Sequence, residues 1–165
     1  TEPNKILRQI SKLVERVGIE EQKLMDDMLD TMYEANGIGL AAIQIGIPKR
    51  IIVMDIGKDE NKKEPIYFVN PVVKNKNSEK ATYEEGCLSV PGQFAEIDRP
   101  NTCEVEYLDY NGKKKLLKAE GLLATCIQHE MDHLEGILFI DYLSKLKKSM
   151  IIKKLSKTKL NRIVV

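Results

Sequence analysis

The chain begins with a segment in which hydrophobic residues recur every three or four positions. Within residues 20–36, the positions at this spacing are Leu24, Met25, Met28, Leu29 and Met32. This period predicts an amphipathic helix, and Asn36-Gly37 supplies the left-handed residue on which helices often end. Methionine side chains fill irregular gaps in protein cores, so we interpret the stripe as packing rather than as a set of sulfur ligands.

In the middle of the chain the pattern changes to alternation, which predicts β-strands. Hydrophobic and acidic residues alternate most clearly over 102–108, as expected for a half-buried strand. Asn111-Gly112 then favours a tight hairpin turn into the next strand. The strands predicted in this way cover 50–56, 66–69, 72–74, 81–83, 94–97, 102–108 and 113–118.

Helical periodicity returns after the strands. A helix is predicted over about 120–135, with Gly136 as its stop, and a last helix over about 144–157. Helices at both ends with antiparallel strands between them predict an α+β fold in which the sheet packs around the helix at 120–135. The length suits one compact unit, so residues 1–165 are expected to form a single domain.

Charge is distributed unevenly, although the whole chain carries a formal net charge of only +1. Residues 142–165 contain eight Lys or Arg and no Asp or Glu, whereas residues 1–141 contain 18 basic and 25 acidic side chains. We interpret the basic segment as a solvated helix with Leu146, Met150 and Ile151 packed inward. No apolar run approaches the roughly 20 residues of a membrane span, and the first residues lack a signal peptide's apolar core. A cytoplasmic protein is therefore expected.

The two histidines of the chain lie four residues apart around a glutamate, in His129-Glu130-Met131-Asp132-His133. Positions i and i+4 of a helix share a face, so both imidazoles can bind one metal ion. Glu130 projects beside them without competing as a ligand, and a carboxylate there can act as a general base and then protonate a leaving amine. The pattern is typical of metal-dependent hydrolases; two structural histidines are the alternative.

A catalytic site of this kind usually has three protein ligands and an open position, so a third ligand is needed. The three cysteines are too few for a disulfide framework. Cys126 precedes His133 by seven residues, a rise of roughly 10.5 Å, which is too far for two ligands of one ion. Cys103 lies in a regular strand and is expected to pack. Cys87 follows Gly86 in an irregular segment, which favours it as the ligand over a buried free thiol.

Three segments together resemble the motifs of the peptide deformylase family. In chain order they are Gly37-Ile38-Gly39-Leu40-Ala41-Ala42-Ile43-Gln44, Glu85-Gly86-Cys87-Leu88-Ser89 and Gln128-His129-Glu130-Met131-Asp132-His133. The resemblance implies a hydrolase of protein biosynthesis that removes the formyl group from formyl-methionine at the N-terminus of newly made proteins. Formate would be released, in a bacterial cytoplasm or in an organelle.

The resemblance also implies a role for individual residues. The metal ligands would be Cys87, His129 and His133, with Glu130 as the acid/base. The Gln44 side-chain amide and the Leu88 backbone N–H would donate to the oxyanion, whose stabilisation by each such donor is typically worth about 100-fold to 1000-fold in rate. The family favours Fe²⁺, while Zn²⁺, Ni²⁺ or Co²⁺ could occupy the same ligands. Glu85 is expected to pair with Arg99 and fix the Cys87 loop.

Substrate and partner expectations follow from the same resemblance. The substrates would be formyl-methionyl nascent peptides, and the basic C-terminal helix would offer a contact to the ribosome. Neither DNA nor a membrane is an expected partner, and a monomer is expected. In the substrate site, Gly39 and Gly86 would pair with the peptide backbone, Ile38 and Leu88 would flank it, and Leu122 and Cys126 are candidates for the methionine pocket.

Two other classes of protein remain open. A general metalloprotease would need a third ligand after the histidines, and residues 134–165 offer only Glu135 and Asp141. A binding protein with a structural metal site would normally have four protein ligands, and three candidates can be named.

Overall fold

The computed structural model describes residues 1–57, 59 and 61–163. Its longer helices are α1 (Ile19–Glu34), α2 (Gly121–Leu134) and α3 (Lys145–Ile163). Its strands are β1 (Gly39–Ala41), β2 (Ile51–Met54), β3 (Ile66–Lys76), β4 (Lys80–Cys87), β5 (Val90–Pro100), β6 (Thr102–Leu108) and β7 (Lys114–Glu120). Short 3₁₀ helices cover Lys5–Arg8, Ala42–Ile45 and Phe139–Tyr142.

The strands form two separate antiparallel sheets. A five-stranded sheet has the order β1-β2-β3-β6-β7, and β4 pairs with β5 in a two-stranded sheet. Helix α2 packs on the larger sheet, where Ala124 and Ile127 join a buried cluster with Ile52, Phe68 and Val105. The predicted α+β fold around the helix that carries both histidines is therefore confirmed.

Helix α1 packs through its methionine stripe, as the sequence predicted. Met25, Met28 and Met32 are fully buried and share a second cluster with sheet residues that include Val53. After the helix, Asn36 adopts φ 55°, a left-handed conformation that asparagine tolerates better than most residues. The segment that follows can therefore turn directly into β1.

Several strand boundaries differ from the predicted ones. The intervals 66–69 and 72–74 belong to one strand, β3, which stays continuous because an irregularity in its pairing with β6 absorbs Asn70 at φ 51°. Strands β4 and β5 extend well beyond 81–83 and 94–97, since a two-stranded sheet with an exposed face carries many polar residues and hides its periodicity.

The expected packing of α3 is wrong for two of its three residues. Leu146 and Met150 are exposed, whereas Ile151 packs against a third core cluster together with Leu155. At about 100° per residue, Leu146 and Met150 lie on the opposite side of the helix from Leu155, so burying Leu155 turns both outward. Among the described residues, no helix is long and apolar enough to cross a membrane.

Candidate metal centre

Helix α2 and the turn after β4 bring three potential ligands together. His129 and His133 project from one face of α2, and Cys87 is the last residue of β4. One ligand atom from each residue lies within 4.8 Å of the other two, and Cys87 Sγ is 3.3 Å from His133 Nε2. Within the described ranges, this is the group of three His, Cys, Asp or Glu side chains able to hold a metal ion.

The Cys87 turn is irregular, as the sequence suggested. The register between β4 and β5 shifts between Gly86 and Cys87, and the backbone N–H of Ser89 donates to Cys87 Sγ over 3.4 Å. The two other thiols lie outside the ligand group. Cys103 is buried in the core of the larger sheet, and Cys126 is buried on α2, where loss of hydration raises its pKa. Burial also raises the pKa of Cys103, so both thiols stay protonated.

His129 is held by a buried ion-paired network. Its Nδ1 donates to Glu85 Oε2 over 2.7 Å, and Arg99 donates to both oxygens of Glu85 over 2.5 and 3.0 Å. The predicted Glu85–Arg99 pair is thus confirmed. Burial lowers the pKa of His129, but hydrogen bonding with Cys87 and Glu85 outweighs burial and raises it to about 10. Near neutral pH the metal-free imidazole is therefore protonated on both nitrogens. Glu85 retains the Nδ1 proton, so Nε2 is the nitrogen that would release its proton to bind a metal ion.

The same hydrogen-bond network extends from Arg99 to the 3₁₀ helix at 139–142. Arg99 Nη1 donates to Asp132 over 2.8 Å, and the Tyr142 hydroxyl donates to the same carboxylate oxygen over 2.8 Å. These contacts connect α2 with the 3₁₀ helix at 139–142. No pattern in the sequence indicated the part that Tyr142 plays.

The donor set fits a divalent transition metal. His133 is buried, and burial followed by the proximity of His129 lowers its pKa, so this imidazole is neutral and can donate a lone pair. A thiol and two imidazoles are ligands that zinc, iron and related ions accept. Among the residues that the structure describes, three protein donors converge, as in catalytic sites rather than in closed structural ones.

Glu130 lies beside the ligands but is not one of them. It is buried, and its Oε2 has no hydrogen-bond partner among the described residues. Its carboxyl packs against Gly39 so closely that a Cβ on residue 39 would lie 2.6 Å from Oε1. Burial raises the pKa of Glu130 to about 7. A carboxyl of this pKa is suited to accepting and returning a proton near neutral pH.

Gln44 approaches the ligands from the other side. Its Oε1 accepts the Ala41 N–H over 2.9 Å. The amide nitrogen therefore faces the turn, where Nε2 lies 3.1 Å from Ser89 Oγ and 3.6 Å from Cys87 Sγ. The side-chain N–H groups of Gln44 thus point to the metal centre.

A pocket of about 480 Å³ opens beside these groups. It brings together nearly all expected site residues, with His133 lying behind it: Ile38, Gly39, Gln44, Gly86, Cys87, Leu88, Leu122, Cys126, His129 and Glu130. Sequence reasoning missed Tyr83, Phe94 and Thr125, which also line the pocket. For Thr125 a signal existed, since it lies three residues after Leu122 and four before His129, on the same face of α2.

An α+β fold with three convergent ligands, a buried carboxyl and an adjoining pocket defines a metal-dependent hydrolase. The model of the polypeptide deformylase family matches residues 1–149. A peptide deformylase from Pelagibacter ubique is 83% identical over the whole chain and 96% of its own length, and one from Rhizobium meliloti is 54% identical over 94% and 89%. The chain belongs to the polypeptide deformylase family.

Solved structures agree with this membership. A peptide deformylase from Ehrlichia chaffeensis has a TM-score of 0.94 and 43% identity, with coverage of 99% of this chain and 97% of that chain. Its complex with actinonin has a TM-score of 0.90 and 46% identity over 96% and 94% of the two chains. The similarity therefore includes the sheets and helices that surround the pocket.

Proposed function

We propose that Cys87, His129 and His133 hold the divalent metal ion with which this deformylase removes N-formyl groups from nascent peptides. The family match and the named relatives support the activity. One observation carries the residue assignment: the three ligand atoms lie within 4.8 Å of one another. The products are formate and a peptide with a free amino terminus.

Glu130 is the proton carrier in this proposal. A divalent ion at the three ligands would supply the Lewis acidity that makes a water molecule nucleophilic near neutral pH. Glu130 accepts the proton of the attacking water through Oε2, which has no hydrogen-bond partner in the described part of the chain, and delivers it to the nitrogen of the scissile amide. The C–O bond of formate forms, the C–N bond breaks, and the amine leaves uncharged.

Gln44 and Leu88 stabilise the negative charge on the formyl oxygen. The Gln44 carbonyl is occupied by Ala41 and one of its N–H groups by Ser89, so the other N–H remains for the site. Leu88 follows Cys87 in the turn, and its backbone N–H is the second donor of the proposal. Fixed donors stabilise an oxyanion without a cost of reorganisation at the moment of reaction.

The substrate peptide would lie between the two sheets. Strands β1 and β4 each have a single neighbour among the described strands, so both leave one edge for a further strand. Gly39 on β1 and Gly86 on β4 would bond to the peptide backbone, and Ile38 and Leu88 would flank it. The methionine side chain would enter the apolar part of the pocket, where Leu122 and Cys126 lie on α2.

We propose Fe²⁺ as the ion used in the cell, because the family favours it and a thiol with two imidazoles accepts several divalent metals. Anaerobic purification followed by elemental analysis tests this assignment. Activity that tracks iron content and decays in air supports it. An air-stable enzyme with one equivalent of zinc contradicts it.

The central test is formate release from formyl-Met-Ala-Ser by wild type and the Glu130→Gln variant. The variant should keep its metal and lose roughly 10²-fold to 10⁴-fold in kcat, the range of general acid/base catalysis. Glu135→Gln, on the exposed end of the same helical segment, is the matched control and should behave as wild type. Equal activity of Glu130→Gln would refute the proton-carrier role, and cleavage of casein without formate release would favour a protease.

We further propose that residues 1–165 act as one catalytic domain. The protein would work as a monomer in a bacterial cytoplasm or an organelle. We also propose that α3 contacts ribosomal RNA. Lys147 and Lys154 lie on exposed turns of this basic helix, which supports the RNA contact. Co-sedimentation with ribosomes should fall steeply with salt, and in Lys147→Gln/Lys154→Gln, but not in Lys114→Gln/Lys118→Gln on β7. Salt-insensitive association would contradict an electrostatic contact, and size-exclusion chromatography tests the monomer.

A further inference from the structure

We propose that Ser89 is a positioning residue that holds the Gln44 amide in its catalytic orientation. This inference rests on the proposed role of Gln44 as an oxyanion donor. Ser89 does not itself line the pocket, and its hydroxyl contacts Gln44 rather than one of the three metal ligands. Its effect would pass through Gln44.

Ser89 connects three parts of the structure through three different groups. Its hydroxyl oxygen accepts the Gln44 Nε2 hydrogen bond over 3.1 Å. Its backbone N–H donates to Cys87 Sγ over 3.4 Å, and its carbonyl accepts the Glu2 N–H over 2.8 Å. With 3% of its surface exposed, the residue is buried and held at both backbone groups, which fixes the position of its Cβ.

The Ser89 hydroxyl fixes the direction of the second side-chain N–H of Gln44. A glutamine side chain has three rotatable bonds, and holding it in one conformation costs roughly 1.5 kcal/mol or more of side-chain entropy. Ala41 fixes the carbonyl end, and Ser89 takes one of the two N–H groups. The remaining N–H is directed to the Cys87 sulfur, where the reacting formyl oxygen would approach.

The two contacts of Ser89 with the site can be separated by mutation. Replacement of Ser89 by alanine removes the hydroxyl that holds Gln44, but the backbone N–H that donates to Cys87 remains. The thiolate and the bound metal should therefore be unchanged, and only the donor geometry of Gln44 should be lost. A general loss of structure would disturb both.

The experiment is a double-mutant cycle in the metal-loaded enzyme, with formate release as the measure. Ser89→Ala should lower kcat by about 10-fold to 100-fold with KM nearly unchanged, since a misplaced donor weakens binding only in the transition state. In the Gln44→Ala background, Ser89→Ala should change kcat by less than about twofold, because the group it positions is absent. Metal content and the cobalt–thiolate absorption band of Co²⁺-loaded protein should match wild type.

Ser11 provides a matched control. It is also a buried serine, and its hydroxyl has no hydrogen-bond partner among the described residues. Ser11→Ala should therefore leave kcat unchanged in both backgrounds. If Ser89→Ala does not fold, Ser89→Cys keeps a similar volume with a weaker acceptor and enters the same cycle, with the cobalt spectrum showing that no second thiolate binds.

The outcomes separate the two proposals. If Gln44→Ala alone leaves kcat unchanged, Gln44 is not an oxyanion donor, and the role of Ser89 falls with it. If Gln44→Ala lowers kcat but Ser89→Ala has the same effect in both backgrounds, the role of Gln44 stands and Ser89 does not act through it. A loss confined to KM or to metal content would also overturn the inference.

Discussion

The pocket has two sides that are built from different chemistry. The inner wall, formed by Glu85, Cys87, Arg99, His129 and His133, is buried except for the half-buried Cys87, and charged hydrogen bonds join Arg99, Glu85 and His129. The outer rim, formed by Ile38, Leu88, Phe94 and Leu122, is apolar and between 37% and 65% exposed. Both sides line or support one site, so the difference reflects the tasks that they perform.

The inner wall and the outer rim differ in how precisely their side chains must be positioned. A metal ligand must keep its donor atom within a few tenths of an ångström, and hydrogen bonds to the ligand secure that position. A side chain that contacts the methionine or the following residues of a peptide needs only apolar area and can move. The inner wall should therefore be sensitive to single polar changes, whereas the rim should be tolerant.

The largest effect is expected from removal of a ligand on the inner wall. His133→Ala should lose metal and lower formate release by roughly 10³-fold or more, since Lewis acidity supplies several kcal/mol to the reaction. Elemental analysis and the formate assay measure the two losses. Chelator treatment of wild type should reproduce them, and full activity in the variant would remove His133 from the ligand set.

A smaller effect is expected from a change at Glu85, which contacts the proposed ligand His129. Glu85→Gln loses the charge that holds His129 Nδ1, and metal affinity should fall by about 10-fold to 100-fold. Competition with a chromophoric chelator measures the affinity. Glu84→Gln, the exposed neighbour on β4, is the control and should bind metal as wild type does. If Glu85→Gln and Glu84→Gln bind metal with equal affinity, the inner wall is no more sensitive to a polar change than an exposed position.

On the rim the effect should appear in specificity rather than in chemistry. Leu122→Ala removes apolar contact with the methionine side chain and should lower kcat/KM by about tenfold for a formyl-methionyl peptide, but less for a formyl-alanyl peptide. Leu116→Ala on β7, a similarly exposed leucine outside the pocket, should change neither value. An equal loss on both peptides would place Leu122 in the fold rather than in the substrate site.

The smallest effect on catalysis is expected for an ion-paired group outside the pocket. Asp141 accepts hydrogen bonds from Arg8 and the Leu138 N–H and forms an ion pair with Lys148, so Asp141→Asn should lower the free energy of unfolding at pH 7 by about 1–3 kcal/mol with unchanged kinetics. Burial raises the pKa of Asp141, but these hydrogen bonds outweigh it and lower the pKa below 3.8.

The direction of the pH effect follows from that shift. A carboxylate with a lowered pKa stabilises the fold above its ordinary pKa and loses this contribution as the pH falls through the lowered value. The difference between wild type and Asp141→Asn in urea unfolding should thus be full at pH 7 and shrink below about pH 3.8. A difference that persists in acid would show that packing, not charge, is lost.

The sequence predicted the structural features that depend on the spacing of nearby residues. It did not predict those that depend on contacts between distant segments. His129 and His133 are fixed relative to each other by one helical turn, and the irregular turn at Cys87 is visible in its glycine. The rotation of α3 about its own axis depends on which of its residues pack into the core. The prediction that Leu146 and Met150 pack inward was therefore wrong. The contact of Ser89 with Gln44 joins segments 45 residues apart, and no periodicity records it.

The packing of Gly39 against Glu130 restricts how this enzyme can change over evolution. Any side chain at residue 39 would have to displace either the edge strand or the carboxyl, because the first added carbon would lie 2.6 Å from Oε1. The two positions are expected to vary together or not at all, so selection on the proposed proton carrier would also fix the backbone on which the substrate would be bound.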